Sequence, residues 1–303
     1  MIRARLLIGL AAIVLVPAAH GSTQLGIYGN IARFEQLTGQ HSQVGHVIAR
    51  WGNTNFDQIW HDLGPTPMLG FDNGLGAITM QALARGAGDD YLLAMSESAR
   101  NLGKLVYIRP FGEMNGHWNA YCAYNTNGTP RGITYSTANF RKAFQRIYLI
   151  MHGGPTVNAT LQRLGMPPVR MDVPTNLFVK LVWNPQGYGS PDVPGNSAQA
   201  YYPGDRYVDI VGDDLYDIGG KAEFAAADKL YKAHPSKPFA FPEWGLWGLD
   251  DAAFVKKMAD FVKTHRRTKL ISYFNAKPGS VFDLASKPKS LAAYKRYIVP
   301  LGG

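Results

Sequence analysis

Eight short β-type segments alternate with amphipathic helical stretches along this chain, and several of the eight are almost continuously apolar. Together these observations predict an α/β fold with a parallel sheet closed into a (β/α)8 TIM barrel as a single domain, because parallel strands are buried on both faces. Length agrees: the chain has 303 residues, and a barrel of this kind typically takes about 250. An open doubly wound sheet is the main competitor. It is weakened by the lack of a Gly-x-Gly-x-x-Gly after the first strand and of a Gly-Lys-Ser/Thr phosphate loop. At 46% hydrophobic and 17% charged residues, the composition excludes a disordered polypeptide.

Taken in chain order, the first feature is a leader. Arg3 and Arg5 precede an apolar run from Leu6 to Val16, followed by Pro17-Ala18-Ala19-His20-Gly21. Basic, apolar and small residues in that order read as a secretory signal peptide over residues 1–21, with the catalytic domain in residues 22–303. The apolar run is too short for a bilayer, which requires about 20 residues. The expectation is a secreted or periplasmic protein with no membrane association after cleavage. One cysteine, Cys122, excludes a disulfide framework.

The strand candidates are Leu25–Tyr28, Gly45–Trp51, Pro67–Phe71, Lys104–Arg109, Leu177–Trp183, Tyr207–Gly212, Pro238–Phe241 and Lys269–Phe274. Between the fourth and fifth, Phe140, Phe144, Ile147, Tyr148 and Met151 form one helical stripe with Thr137 as N-cap. The proline-rich segment Gly153–Thr175 reads as a longer excursion before the fifth strand. A later stripe, Phe254, Met258, Phe261 and Val262, follows Asp250 and Asp251 and ends in Lys263, His265 and Arg266, where the helix dipole favours cations.

Catalytic groups of such barrels sit at the C-terminal ends of the strands. Glu113 follows the fourth strand and Glu243 the seventh, each close to a glycine and a tryptophan. Two carboxylates brought face to face by barrel closure are what glycoside hydrolysis uses, one as proton donor and the other as nucleophile or base. Five of the six tryptophans, Trp51, Trp118, Trp183, Trp244 and Trp247, fall at or just past strand ends; Trp60 does not. A rim of indoles there suits stacking on the CH faces of sugars.

The net charge of +9 raises the possibility of an acidic partner, but the cations are scattered, with no basic helix or stripe for nucleic acid. His-x-x-x-His and His-Glu-x-x-His arrangements are absent, so no metal site is expected. The aspartates Asp205, Asp209, Asp213, Asp214 and Asp217 read as caps and substrate hydrogen-bond partners rather than a calcium loop.

The run Arg109-Pro110-Phe111-Gly112-Glu113-Met114-Asn115-Gly116-His117-Trp118 resembles the acid/base motif of glycoside hydrolase family 26, the β-mannanase family. So do Trp183-Asn184-Pro185, the sixth-strand run from Tyr202 to Tyr216, and the nucleophile motif Pro242-Glu243-Trp244-Gly245, all in family order. The resemblance implies a retaining double displacement with Glu113 as acid/base and Glu243 as nucleophile. Tyr216 would steady Glu243, and Arg109, Trp118 and Trp183 would line the sugar site; Asn115, Trp244 and Trp247 are further substrate-binding candidates from their places beside the glutamates and at the strand ends. It implies no cofactor; the expected partner is a polysaccharide or oligosaccharide, and the chain is expected to act as a monomer. The chain departs from the family at Gly112, where a histidine usually precedes the acid/base glutamate, and at Asn119-Ala120, where the aromatic cluster thins. The expected activity is β-mannanase-like, that of an endo-β-mannanase; the departures bear on mannan specificity and leave a microbial exopolysaccharide, or another β-glucan or xylan, as the alternative substrate. A non-catalytic carbohydrate-binding barrel is the rival from another class.

Overall fold

The computed structural model describes residues 22–302; the proposed leader lies outside the described residues. Eight parallel strands close in sequence order into a barrel. They are β1 (Gln24–Gly29), β2 (Val44–Ala49), β3 (Thr66–Phe71), β4 (Val106–Pro110), β5 (Val179–Trp183), β6 (Ile210–Ile218), β7 (Phe239–Trp247) and β8 (Thr268–Ala276). Closure is made by β1 against β8, in a register running from Gln24 opposite Leu270 to Tyr28 opposite Phe274. The predicted (β/α)8 architecture is therefore the observed one.

The helices wrap the barrel unevenly. They are α1 (Ile31–Thr38), α2 (Phe56–Asp62), α3 (Met80–Ala84), α4 (Asp89–Leu102), α5 (Thr137–His152), α6 (Val157–Arg163), α7 (Phe224–Ala233), α8 (Ala252–Thr264) and α9 (Pro288–Ala293). Between β5 and β6 the connection holds only short 3-10 turns. A segment carrying Pro191, Pro194 and Pro203 lacks the backbone donors that an α-helix interior requires. The Phe140 stripe is α5, capped one residue earlier than expected: Ser136 rather than Thr137 accepts from the Asn139 amide, at 3.3 Å. Asp251 caps α8 by accepting from Ala253 and Phe254 at 2.8 and 3.1 Å. Its neighbour Asp250 accepts instead from Lys289 and Ser290 and fixes the start of α9.

Strand alternation builds the interior in layers. Val44, Met68, Tyr107, Val182, Ile210, Ala240 and Leu270 supply one residue from each of β2 to β8 and form a closed apolar plug. Two residues further along each strand come His46, Gly70, Arg109, Asn184, Gly212, Pro242 and Ser272. This second layer mixes small residues with polar ones, so it leaves room above the plug for a charged group. A Cβ on Gly212 would lie 2.9 Å from Pro242 Cγ and 3.2 Å from Asn184 Oδ1, which shows how closely that layer is filled.

Strands β6 and β7 run further than the sequence indicated, pairing as far as Ile218 opposite Trp247. Each carries an irregularity where its chemistry lies: β6 between Gly212 and Asp214, and β7 against β8 between Phe241 and Trp244. A bulge re-aims side chains, and these two bring Asp214 and Glu243 to the barrel interior.

Alternation also corrects the expected tryptophan rim. Trp183 and Trp244 are fully buried in the core between barrel and helices. Trp183 packs edge-on against Tyr202 and His234, while Trp244 stacks on Tyr294 with centroids 5.7 Å apart and planes 4° apart. The residue before each indole takes the interior position, so the indole must take the other face. Trp244→Ala should therefore cost about 3–5 kcal/mol of stability, measured by denaturant unfolding, a loss that an exposed rim residue would not produce.

Candidate active site

The site is organised by Arg109, the second-layer residue of β4. Its guanidinium is buried and its fork engages three partners. Nε donates to Asn184 Oδ1 at 2.7 Å, Nη1 to Glu243 Oε1 and Nη2 to Asp214 Oδ2. Burial alone would favour the neutral form, but Asp214 and Glu243 outweigh it and raise the pKa, so the charge is permanent. Glu243 is held on its other oxygen by the Tyr216 hydroxyl, 2.7 Å from Oε2. Burial and the adjacent Glu243 charge push the Tyr216 phenol well above its ordinary range, so it remains a donor. The Glu243 amide donates to Asp214 Oδ1 at 3.1 Å, which ties strand to strand below the carboxylate.

Glu113 reaches the same space from the turn after β4. Phe111 and Glu113 have φ of 52° and 54°, in the left-handed region that costs non-glycine residues on the order of 1–3 kcal/mol each. The turn is held by bonds on every side. The Glu113 amide donates to the Asn184 carbonyl at 2.7 Å, Tyr121 OH donates to the Gly112 carbonyl at 2.6 Å, and Asn119 Nδ2 donates to the Glu113 carbonyl at 2.9 Å. The carboxylate accepts from Trp118 Nε1 at 2.8 Å and from Gln186 Nε2 at 2.6 Å. Burial and then the charge of Glu243 raise the Glu113 pKa above its usual range, against the opposing pull of Arg109 and these two donors.

The two carboxylates are thus made unequal by their surroundings. Glu243 lies in direct contact with a guanidinium. Glu113 has only neutral donors in contact and faces a second carboxylate. Both line a cavity of about 150 Å³ that also touches Ile48, Gly70, Asp72, Arg109, Gly112 and Tyr121.

The remaining expected residues divide by position. Trp118 is half exposed and is bonded to Glu113; Trp247 is also half exposed, 4.8 Å from the Phe282 ring. Trp51 is partly buried and packs on Tyr91, 4.3 Å away. Asn115 has no exposed surface. Its side chain donates to the carbonyls of Gln186 and Tyr188 at 2.9 and 3.0 Å and accepts from the Gln186 amide at 2.8 Å. Asn115 therefore positions Gln186, which in turn holds Glu113, and offers nothing to a sugar.

Of the further groups at this site, Tyr28, Phe274, Phe282 and Gln186 were not singled out from the sequence, whereas Asn184 stood in a quoted motif and Asp213 among the aspartates. Tyr28 and Phe274 stack at 4.3 Å with planes 10° apart, and Phe282 continues the wall 5.0 Å from Phe274. Tyr28 and Phe274 are the last residues of the predicted first and eighth strands, so strand-end position marked them as well as it marked the tryptophans. Asn184 and Gln186 follow β5 as Glu113 follows β4. Asp213 is buried, accepts from the Gly187 amide at 2.8 Å, and is raised by burial to a pKa of about 8. Among the described residues, no group of three or more His, Cys, Asp or Glu side chains could hold a metal ion.

Comparison with solved structures places this geometry on a known scaffold. A mannanase from Bacillus subtilis superposes with a TM-score of 0.61, covering 92% of this chain and 86% of its own at 18% identity. A family 26 β-mannanase from Bacteroides ovatus gives 0.58, covering 91% and 88% at 16% identity. The fold is that of the family 26 mannanases. The resemblance first carried by the Glu113 and Glu243 motifs therefore extends over the whole barrel. No protein-family model matches the chain. Among curated sequences, endoglucanase H of Acetivibrio thermocellus is 22% identical over 291 residues, and a mannan endo-1,4-β-mannosidase of Bacillus subtilis is 29% identical over 162. The chain spans 29% of the length of the first and 36% of the second.

Two outcomes follow from this geometry. A Cβ on Gly112 would stand 2.4 Å from Arg109 Nη2, and that guanidinium cannot swing aside without leaving Asp214 and Glu243. Gly112→Ala should lose about 1–3 kcal/mol in thermal or denaturant unfolding. Asp213 in the folded state binds its proton up to pH of about 8, above the ordinary 3.8 of an aspartate. Its contribution to stability is thus fully present below pH 3.8 and is lost as pH rises through 8. Asp213→Asn should flatten the decline of Tm between pH 5 and 8; an unchanged slope would show that the carboxyl ionises normally.

Proposed function

We propose that this chain is a secreted, retaining β-glycoside hydrolase of the family 26 type, cleaving within a polysaccharide chain. The observation that carries this reading is the pair of unlike carboxylates in one cavity: Glu243 ion-paired to Arg109 and bonded to Tyr216, and Glu113 with a raised pKa. In the first step the Glu243 carboxylate attacks the anomeric carbon while Glu113 passes its proton to the departing glycosidic oxygen. Glu113, then ionised, takes a proton from the incoming water as that water displaces Glu243. Arg109 and Tyr216 fix one orientation of the nucleophile, each holding one of its carboxylate oxygens. The wall of Tyr28, Phe274, Phe282 and Trp247 gives sugar faces a stacking surface.

Two relatives support the polysaccharide substrate from their names alone, an endoglucanase aligned over 88% of this chain and a mannan endo-1,4-β-mannosidase aligned over 52%. The broader alignment, with Gly112 standing where the family usually has histidine, favours a β-glucan over mannan. Electrostatics favour a neutral glycan. Asp72, Glu113 and Glu243 line the cavity and Asp214 lies behind it, against the single cation Arg109. The basic surplus of the chain therefore lies away from the cleavage point and does not by itself call for an acidic substrate. Export rests on the residue 1–21 sequence.

Reducing-end release should be tested on mixed-linkage glucan, glucomannan, mannan, xylan and acidic bacterial polysaccharides. Glu243→Ala should abolish release on whichever substrate is cut, with folding intact; a fully active variant would overturn the assignment. Glu113→Ala should lose about 10²–10⁴-fold on a natural linkage. It should retain much more activity on aryl glycosides whose leaving groups need no proton. In Glu243→Gln the Glu113 carboxyl, relieved of a neighbouring charge, should titrate at lower pH by carbon-13 NMR.

A further inference from the structure

The positive charge of this chain has one source. Residues 256–296 hold eleven lysines and arginines against two acids, Asp260 and Asp283. That excess equals the +9 of the whole chain, so all other residues together are neutral. The cations that read as scattered along the sequence are therefore concentrated in one segment, and folding places most of it on one flank of the barrel. The segment comprises most of α8, the whole of β8, and α9 with the π-helical turn Tyr294–Ile298 that continues it.

Three of the eleven cations are used within the fold. Lys256 pairs with Asp260 at 2.6 Å, buried Lys287 donates to the Asp283 carbonyl at 2.9 Å, and Arg267 donates to the carbonyls of Tyr231, His234 and Lys237. The other eight are exposed, and among the described residues none lies within ion-pair distance of a carboxylate. Helix α8 packs against α9 and its continuation, and the seam between them is basic from both sides. Lys256 Nζ lies 6.0 Å from the centroid of the Tyr297 ring, and Arg296 Cζ lies 5.2 Å from it. Lys263 stands two turns beyond Lys256, about 10 Å along α8, while Lys289 and Lys295 stand on the neighbouring helix. Among the described residues, no exposed large apolar side chain lies on either helix. Both helices begin at the end of the barrel that carries the two glutamates, since they follow β7 and β8. The flank therefore starts beside the cavity rim and runs away from it. Like charges gathered in this way repel one another and weaken the compact state, and a polyanion laid across them relieves that repulsion.

We propose that this flank is a docking surface for an acidic polysaccharide, whose carboxylates pair with the cations of α8 and of the C-terminal helix while a neutral stretch of sugar enters the cavity. The choice of a glycan rests on the glycosidase reading: a second site for the same polymer raises its effective concentration at the first. A membrane surface is disfavoured because these helices present no apolar side chains to enter its interface. Single-stranded nucleic acid is disfavoured because the flank offers no exposed aromatic platform, and duplex DNA because neither helix projects to enter a groove. The division also explains how a basic chain comes to have an acidic cavity. Asp72, Glu113 and Glu243 line the cleavage point, and attachment through charge takes place elsewhere.

The test reads binding without turnover, using Glu243→Ala on immobilised polygalacturonate and alginate, with mixed-linkage glucan as the neutral polymer. Binding to the acidic polymers should weaken at least about 10-fold between about 0.01 and 0.15 M salt, as the Debye length falls from about 30 to about 8 Å. Binding to the neutral polymer should not change. Adding Lys263→Glu, Lys295→Glu and Arg296→Glu together should lose at least about 10-fold in Kd for the acidic polymers. Lys104, Arg170 and Arg206 are exposed cations outside the segment. Their joint replacement, Lys104→Glu, Arg170→Glu and Arg206→Glu, makes the same change in net charge and should lose less than about threefold. Equal losses in the two sets would overturn the proposal, since net charge rather than this flank would be responsible. So would failure of Glu243→Ala to bind either acidic polymer, or tighter binding to duplex DNA or to phosphatidylserine vesicles. Should the first set fail to fold, Lys263→Gln, Lys295→Gln and Arg296→Gln take its place and should still weaken binding more than the second set does. Failure of the glycosidase reading would appear separately, as hydrolysis that persists in Glu243→Ala, and would leave the comparison of the two sets intact.

Discussion

A guanidinium buried inside a barrel survives only if its nitrogens are paired, and each of the three nitrogens of Arg109 has a partner on β6, on β7 or just past the end of β5. Asn184, Asp214 and Glu243 each take one edge of its fork. Removing one of them leaves one edge of the buried guanidinium unmet, at a cost of about 1–3 kcal/mol. The constraint acts in both directions. The partners must arrive at fixed heights on their strands, which is why β6 and β7 carry bulges at Asp214 and next to Glu243.

The same cation creates the chemical difference between the two glutamates. Two carboxylates share one small cavity, and only one of them touches the guanidinium. Glu243 contacts Arg109 directly, while Glu113 feels it at longer range and feels Glu243 more strongly. The two glutamates are therefore distinguished by position relative to one arginine rather than by residue type. The neutral donors Trp118 and Gln186 set the orientation of Glu113 without supplying the charge that would cancel this difference.

Space is the third term. Gly70, Gly112 and Gly212 keep the layer around Arg109 free of side-chain bulk, each for a different neighbour: the cavity floor, the guanidinium and Pro242. The strained turn through Phe111 and Glu113 is tolerated because Asn184, Asn119 and Tyr121 bind its backbone from three directions. Asn115 belongs to this framework as well. Its motif position suggested contact with sugar, but its amide is consumed in joining the β4 turn to the loop after β5.

Sequence by itself determined the class of fold, because near-continuous apolar strands and striped helices follow from local periodicity that needs no knowledge of partners. It also placed Glu113 and Glu243 at equivalent strand ends, since chain order and barrel closure suffice for that. Which face a strand-end residue takes was decided by the tertiary structure. Trp183 and Trp244 stand at the right height but on the helix side, and alternation along a strand can be phased only once the interior layer is known. The bulges of β6 and β7, which bring Asp214 and Glu243 inward, leave no periodic signature. The inequality of the two carboxylates exists only when residues far apart in the chain share one low-dielectric space. Its causes are burial and Coulomb interaction, which act over distance in space and not over separation in sequence.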